Sequence, residues 1–242
     1  AVYEHLKALG QVEPYKRRQS PWDEPRYEIW RKHLMWGCDW TRLSVNGTRW
    51  YLLALIELFS RFIVAWDIVP TVNSGHVKRI YLSGLKNEGI SRSGGQLPAL
   101  RVDRGSPNTA YVTKEFFEML GAELSYARVH RPTDNSIMER FFGTVKQEEA
   151  YLVGNYPDEA SAREELGRYI NFYNNERPHQ ALWNFTPTYV HEMNNKSMVL
   201  DELKRIKRET RERRKNYWLS QPRPDGPIVK NDSLDFPVLS TL

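Results

Sequence analysis

The sequence predicts an α/β domain: a mixed five-stranded sheet in the order β-β-β-α-β-α-β-α, flanked by helices and followed by a basic helix and an extended tail. Three observations carry this. Three runs rich in β-branched and aromatic residues follow one another over 34–69 with only turn residues between them, which reads as an antiparallel meander. From Ser74 onward, helix-period segments alternate with short apolar strands, the pattern of parallel strands joined by crossover helices. No internal repeat competes with this reading.

The elements follow in order. Residues 1–33 are polar and broken by Pro14, Pro21 and Pro25. Ala1 to Leu9 has the composition of a short helix, and the rest reads as an arm whose Trp22, Tyr27 and Trp30 pack on the domain or on a partner. Leu34–Val45 is the first strand, Asn46-Gly47 a hairpin signal, and Trp50–Leu58 the second strand. Ser60-Arg61 leads into a third, Phe62–Val69, closed by Pro70. Ser74–Asn87 is helical, with Val77, Ile80, Tyr81 and Leu85 on one side. A Gly- and Ser-rich loop precedes a short strand, Ala99–Val102. Thr113–Leu120 is a helix stopped by Gly121, and Ala122–Ala127 is the fifth strand.

The stretch Arg131–Glu149 begins with Pro132-Thr133-Asp134-Asn135-Ser136, a turn and capping cluster in which Asp134 reads as the cap. At 100° per residue Ile137, Met138, Phe141, Phe142 and Val145 share one side, while Glu139, Gly143 and Lys146 share the other. Gly143 costs roughly 1 kcal/mol of helix stability relative to Ala, and it would admit a close-lying backbone. A further helix runs from Asp158 to Asn175. ERPHQALWNFTP is a turn-rich strap, Met198–Trp218 a basic helix, and the Pro-rich remainder an extended tail. The domain plan is thus an arm at 1–33, a core at 34–190, and the basic helix and tail at 191–242.

With 40% hydrophobic and 27% charged residues the chain has the make-up of a soluble globular protein. No apolar run of ~18 residues offers a membrane span. It begins at Ala1 rather than Met, as a fragment or processed chain would, and shows no signal-peptide pattern. The single cysteine, Cys38, excludes an internal disulfide and fits a reducing, cytoplasmic compartment. The six histidines are scattered along the chain and do not read as a metal cluster. Residues 204–215 hold eight basic and two acidic residues, a local +6; with +5 in total, the rest of the chain is at −1. A basic segment on a neutral body suggests a polyanionic partner, nucleic acid first. A solvated helix laced with its own ion pairs is the competing explanation.

Three acids stand out. Asp39 lies mid-strand, where a carboxylate is costly unless paired or metal-bound. Asp103 sits at the carboxyl end of a strand, where α/β sheets place ligands. Glu139 projects from the polar face of its helix. If the first and fourth strands are neighbours and that helix packs across them, the three converge. Open oxygen sites suit Mg²⁺ or Mn²⁺. Two such ions ~4 Å apart would activate an attacking oxygen and stabilise a leaving one in an in-line phosphoryl displacement. Asp67, near a strand end, is explained by solvation. Glu57 is harder to dismiss and is a candidate fourth acid.

These residues carry a resemblance. Trp36-Gly37-Cys38-Asp39-Trp40-Thr41 is similar to a W-x-x-D-x-T motif, and Val102-Asp103-Arg104-Gly105-Ser106-Pro107 resembles a D-x-G-S segment. Asp134-Asn135-Ser136-Ile137-Met138-Glu139-Arg140-Phe141-Phe142-Gly143-Thr144-Val145-Lys146 resembles a D-N-x-x-x-E-x-F-x-x-x-(L/V)-K block. Asp103 and Glu139 are separated by 35 residues. Tyr173–Leu182, followed by Thr186-Pro187, looks like Y-N-x-x-R-P-H-x-A-L…T-P. In this order, over about 34–190, the motifs resemble the catalytic core of DDE transposases of bacterial insertion sequences and of retroviral integrases.

The resemblance implies an RNase H-like fold, two divalent ions (Mg²⁺ or Mn²⁺) per active site, and cleavage and joining of DNA strands. It makes Asp39, Asp103 and Glu139 the catalytic metal ligands and Lys146 a DNA-contacting residue. Thr41, Asn135, Arg140, Arg177 and His179 are further candidates for DNA or supporting roles, with a structural histidine the alternative for His179. The expected partners are double-stranded DNA, as element ends and as target, and further copies of the chain assembled on it, in a bacterial cytoplasm and at the nucleoid when bound. Two features depart from the pattern. No helix-turn-helix is recognisable in residues 1–33, and one cysteine cannot build the zinc domain of retroviral integrases. The rival expectations are an RNase H-like nuclease that never joins strands and a catalytically idle DNA-binding derivative.

Overall fold

The computed structural model describes residues 28–91, 95–127 and 135–221. The proposed helix at Ala1–Leu9, Asp134 and the Pro-rich tail lie outside them. The chain divides into two compact units, Ala1–Asn194 and Asn195–Leu242.

The first unit is built on one five-stranded sheet in the order β3-β2-β1-β4-β5. β1 (Met35–Val45), β2 (Thr48–Glu57) and β3 (Ile63–Val69) form the expected meander. β4 (Ala99–Val102) and β5 (Leu124–Tyr126) extend it in parallel with β1. The β1–β2 turn works because Asn46 and Gly47 both take positive φ, 48° and 66°, matching the twist of the strands they join. Between the parallel strands run α1 (Ser74–Asn87), the single turn α2 (Ser106–Thr109) and α3 (Tyr111–Leu120). α3 is stopped by Gly121 in the left-handed region at φ 78°.

After β5 come α4 (Ser136–Val145), a π-helical turn (Lys146–Ala150) and the short α5 (Tyr151–Val153). The long α6 (Glu159–Asn175) is capped by Asp158, whose carboxylate accepts from Ser161 N at 2.8 Å. The strap then forms a 3₁₀ turn (Gln180–Leu182) and a short helix, α7 (Pro187–Glu192), in which Pro187 takes the first position behind the Thr186 cap. The π turn, α2 and α7 were not legible as helices from periodicity.

Side-chain alternation along the strands divides the core. Trp36, Cys38, Leu53, Leu55, Leu100 and Val102 face α1 and α3, packing on Tyr81, Leu85 and Phe117. On the other face Leu43, Val45, Leu52, Ala54 and Ile56 meet Met138, Phe141, Phe142 and Val145 of α4 and Leu166, Ile170 and Tyr173 of α6. The apolar side assigned to the Ser136–Val145 helix is thus its buried side, and Glu139 is exposed opposite it. α1 lies close to the sheet because Gly84 has no side chain: a Cβ there would come within 2.5 Å of Leu55 Cδ2 and 2.9 Å of Trp36 Cζ3.

The second unit is α8 (Lys196–Ser220), capped by Asn195, whose side chain accepts from Met198 N at 3.0 Å. Some of its charges pair within the helix, Lys204 with Asp201 and Arg205 with Glu202 and Glu209. Residues 211–215 are exposed. Among the described residues, no helix is long and apolar enough to cross a membrane.

Candidate active site

The geometry of the acids follows from strand register. β1 and β4 pair in parallel through Met35↔Ala99, Trp36↔Leu100 and Gly37↔Arg101. Two residues further along each strand stand Asp39 and Asp103. Neighbouring strands lie ~4.8 Å apart, so the two aspartates come side by side where β4 ends. Alternation puts Asp39 on the face shared with Gly37, and that face is covered by α4. A Cβ on Gly37 would meet Met138 Sδ at 3.0 Å, so this glycine lets the helix settle on the strand. Glu139 follows Met138 on α4, and the condition for the three acids to converge is met.

Each aspartate is held. Asp39 Oδ1 accepts from Trp40 N at 2.8 Å, and Oδ2 from Asn135 Nδ2 at 3.0 Å. Asn135 stands at the start of α4 but makes no capping bond with its side chain. Its amide is spent on Asp39 instead. Asp103 Oδ1 accepts from Gly105 N at 2.8 Å and from Asn108 Nδ2 at 2.6 Å, which fixes the carboxylate over the first turn of α2. Asn108 is fully buried and has no evident signal in the sequence beyond its place five residues after Asp103.

Burial pushes the Asp39 carboxyl up to about 6, the nearby charges of Asp103 and Glu139 push the same way, and the bonds from Trp40 and Asn135 only partly oppose them. A site that resists its own negative charge suits a cation, and the donor set is all carboxylate oxygen, which matches Mg²⁺ or Mn²⁺. The residues present therefore fit the ion that the sequence suggests.

The other candidates fall into different surroundings. Thr41, two residues after Asp39 on the same face of β1, is buried. Lys146 begins the π turn that continues α4, on the Glu139 side, and is half-buried. Arg140 is exposed and lines a cleft of about 710 Å³ together with Arg61, Thr144 and Arg177. Arg177 forks onto Glu148 of the π turn, with contacts of 2.9 and 2.6 Å, and Tyr169 Oη donates to the same carboxylate at 2.9 Å. The Arg177 bonds hold the Glu148 carboxyl below its ordinary value. His179 is buried edge-on to the Tyr173 ring at 4.5 Å, and burial lowers its pKa.

Glu57, the candidate fourth acid, is not available to this site. It is fully buried at the far end of β2, opposite Trp36, where Ser60 N and Oγ donate to Oε2 at 2.7 Å each and Phe59 N donates to Oε1 at 3.1 Å. It closes the β2–β3 turn. Asp67, expected to be solvated, accepts an ion pair from Arg163 at 2.8 Å.

Comparison with known proteins agrees with this architecture. Two models described as "Integrase core domain" match residues 31–132 and 120–187, and together they run across every strand and the acidic site. The chain belongs to the integrase core family. Curated relatives of this integrase core are transposases. That of insertion sequence element IS904 from Lactococcus lactis is 30% identical over 61% of this chain and 57% of the relative. The putative transposase of IS150 from Escherichia coli is 25% identical over 66% of this chain and 55% of the relative. The chain thus spans a little over half the length of these relatives. Among solved structures, the HTLV-2 integrase catalytic core in complex with magnesium shares 15% identity at a TM-score of 0.51, covering 66% of this chain and 97% of that one. A simian T-cell lymphotropic virus intasome gives 17% identity and a TM-score of 0.54, covering 76% of this chain and 66% of that one. At these identities the likeness is one of fold, an integrase-core, RNase H-like sheet with flanking helices.

Proposed function

We propose that this integrase core is a DDE-type polynucleotidyl transferase that cleaves and joins DNA strands during transposition. The observation that carries the reading is the placement of Asp39 and Asp103 on adjacent parallel strands, beneath the helix that bears Glu139. The relatives are transposases, which supports DNA as the substrate. The magnesium in the HTLV-2 structure supports Mg²⁺, with Mn²⁺ as its substitute, and we assign two ions to the site on the chemistry of the reaction.

Asp39, Asp103 and Glu139 would hold the metal, which when bound would lower the pKa of an attacking oxygen and neutralise charge on the leaving one. The chain's own residues do the rest. Asn135 fixes Asp39 in the orientation in which both of its oxygens are directed by donors. Asn108 and the Gly105 N–H do the same for Asp103. Lys146 contributes a positive charge on the Glu139 side of the helix for a DNA phosphate. Gly143 lies between them, and a Cβ there would meet nothing within 4 Å, which leaves room for a backbone to approach. Arg140 and Thr41 stand at the border of the site, with Arg140 turned to the arginine-lined cleft. Arg177 and His179 act through the scaffold, holding the π turn and the strap. In this scheme water attacks a phosphodiester at the element end, and the freed DNA 3′-hydroxyl then attacks target phosphorus in line with the oxygen that leaves. Cutting and joining two ends requires more than one copy of the chain on DNA.

The test is an assay with Mg²⁺ or Mn²⁺ on pre-cut duplexes carrying the inverted repeats that flank the coding region. Joined products that disappear with Asp103→Asn support the reading. Cleavage with no joining favours a nuclease, and binding with neither favours an idle derivative.

A further inference from the structure

The histidines scattered in sequence do not all stay apart in the fold. His33, on the approach to β1, His191 in α7 and Glu88 at the end of α1 come together at the end of the sheet where β1 begins. Among the described residues this is the one group of three or more His, Cys, Asp or Glu whose ligand atoms all lie within 4.8 Å of one another. His191 Nε2 is 2.8 Å from Glu88 Oε2, and His33 Nε2 is 3.5 Å from the same oxygen. The side chains are 20%, 12% and 10% exposed for His33, Glu88 and His191.

By itself the group is poorly satisfied. With Glu57 ionised, Ser60 Oγ donates its one proton to Glu57 Oε2 at 2.7 Å and accepts from His191 Nδ1–H at 2.9 Å. In a neutral ring that leaves His191 Nε2 with a lone pair, aimed at a carboxylate oxygen 2.8 Å away. Two lone pairs at that distance need a cation between them, either a proton or a metal ion. His33 is less committed still. Its Nδ1 is buried with no hydrogen-bond partner among the described residues, and 3.5 Å is too long for a strong bond from Nε2. The residue also holds a left-handed φ of 62°, a conformation that a non-glycine residue keeps only where the surroundings fix it. Lys32 N donates to Asn194 O at 2.8 Å, tying the same two segments together alongside.

We propose that His33, Glu88 and His191 form a second metal site, separate from the acidic one, that takes a Zn²⁺-class ion as a structural clamp. Two imidazoles and a carboxylate are a donor set that Zn²⁺ takes, with water in the fourth position. In a tetrahedral site with ligand bonds of 2.0–2.1 Å, donor atoms stand roughly 3.3 Å apart, close to the His33–Glu88 spacing. The His191–Glu88 spacing opens by about 0.5 Å to reach it. Around His191 the support is also present. A metal-bound histidine normally gives its other N–H to a fixed acceptor. His191 gives its own to Ser60, which is anchored by Glu57, and its ring stacks on Phe62 at 4.6 Å. The buried acid that the catalytic site does not use thereby acquires a role as orienter. The ion would pin the segment leading into β1, the end of α1 and α7, which are brought together from residues 33, 88 and 191.

The experiment uses the full chain with the acidic site silenced by Asp39→Asn and Glu139→Gln, stripped with chelator and titrated with Zn²⁺, then with Co²⁺ as a coloured probe. The expected result is one Zn²⁺ per chain, a rise in melting temperature, and the intense visible absorption of four-coordinate Co²⁺. Affinity should fall at least tenfold in Glu88→Gln, which keeps the shape, and in His33→Asn, which tolerates the left-handed backbone. Failure of the silenced chain to bind either ion overturns the proposal. So does binding that neither substitution weakens. The contact would then be a plain His191–Glu88 ion pair.

Discussion

The raised pKa of Asp39 makes a prediction that separates the catalytic role from the structural one. Replacing this acid by the isosteric amide, Asp39→Asn, should stabilise the metal-free fold. The carboxyl moves from 3.8 to about 6 on folding, through burial first and then the charges of Asp103 and Glu139. A shift of ~2 units corresponds to about 3 kcal/mol paid at neutral pH to keep the group ionised, an upper figure for what the neutral amide recovers. The amide keeps the acceptor for Trp40 N, and Asn135 need only rotate its own amide to offer an oxygen in place of a donor.

The sign of the pH dependence follows. The folded pKa is the higher one, so between about 4 and 6 the native state binds more protons than the unfolded state, and stability falls as pH rises through that window. The gain from the substitution is therefore about 3 kcal/mol at pH 7 and only about 0.5 kcal/mol at pH 4. Urea unfolding of both chains in EDTA, at several pH values, measures it directly. A loss of stability on substitution, or a gain independent of pH, would show that Asp39 is not a desolvated anion in a repulsive cluster. Added Mg²⁺ should reverse the order, since only the native carboxylate gains from the ion.

Three further outcomes follow from the contacts. Asn135→Ala removes the donor that orients Asp39 and should cut metal-dependent activity by roughly 10–100-fold with little change in melting temperature, read by joining rate against Mg²⁺ concentration. Lys146→Ala should weaken DNA binding about equally for all sequences and lower the slope of log affinity against log salt by about 1, measured by fluorescence anisotropy. Gly84→Ala drives a methyl into Leu55 and Trp36 and should cost roughly 1–3 kcal/mol in denaturant unfolding. A neutral result there would mean that α1 is not seated as tightly on the sheet as its backbone implies.

Much of the fold was legible because its signals are local. Asn46-Gly47 sets a hairpin through its own φ preferences, and the buried side of α4 can be read from Ile137 to Val145 by angle alone. The acids were legible for a different reason. Asp39 interrupts an otherwise apolar strand, and such an interruption demands an explanation. What stayed hidden depends on partners far away in sequence. Asn135 stands in the sequence as a candidate for a DNA or supporting role, and only the fold shows its amide turned to Asp39. Arg177 reads as a free cation until Glu148 is found 29 residues back. Glu57 looks like a catalytic acid from its strand position, yet the β2–β3 turn folds back to bond it. The short α2 and α7 carry too few residues for periodicity to register, and the π turn at Lys146–Ala150 has no pattern that separates it from the helix before it. His33, Glu88 and His191 meet only because three segments share the end of the sheet where β1 begins.

If Asp39, Asp103 and Glu139 perform chemistry rather than bind DNA, one paired measurement separates the two roles. Single-turnover joining of pre-cut ends and equilibrium DNA binding would be measured side by side for the chain and for Glu139→Gln in Mg²⁺. Joining should fall by at least a thousandfold, about 4 kcal/mol of transition-state stabilisation, while DNA affinity stays within a few-fold. Joining that survives the substitution, or that falls only in step with DNA binding, would show that Glu139 does not serve the chemical step.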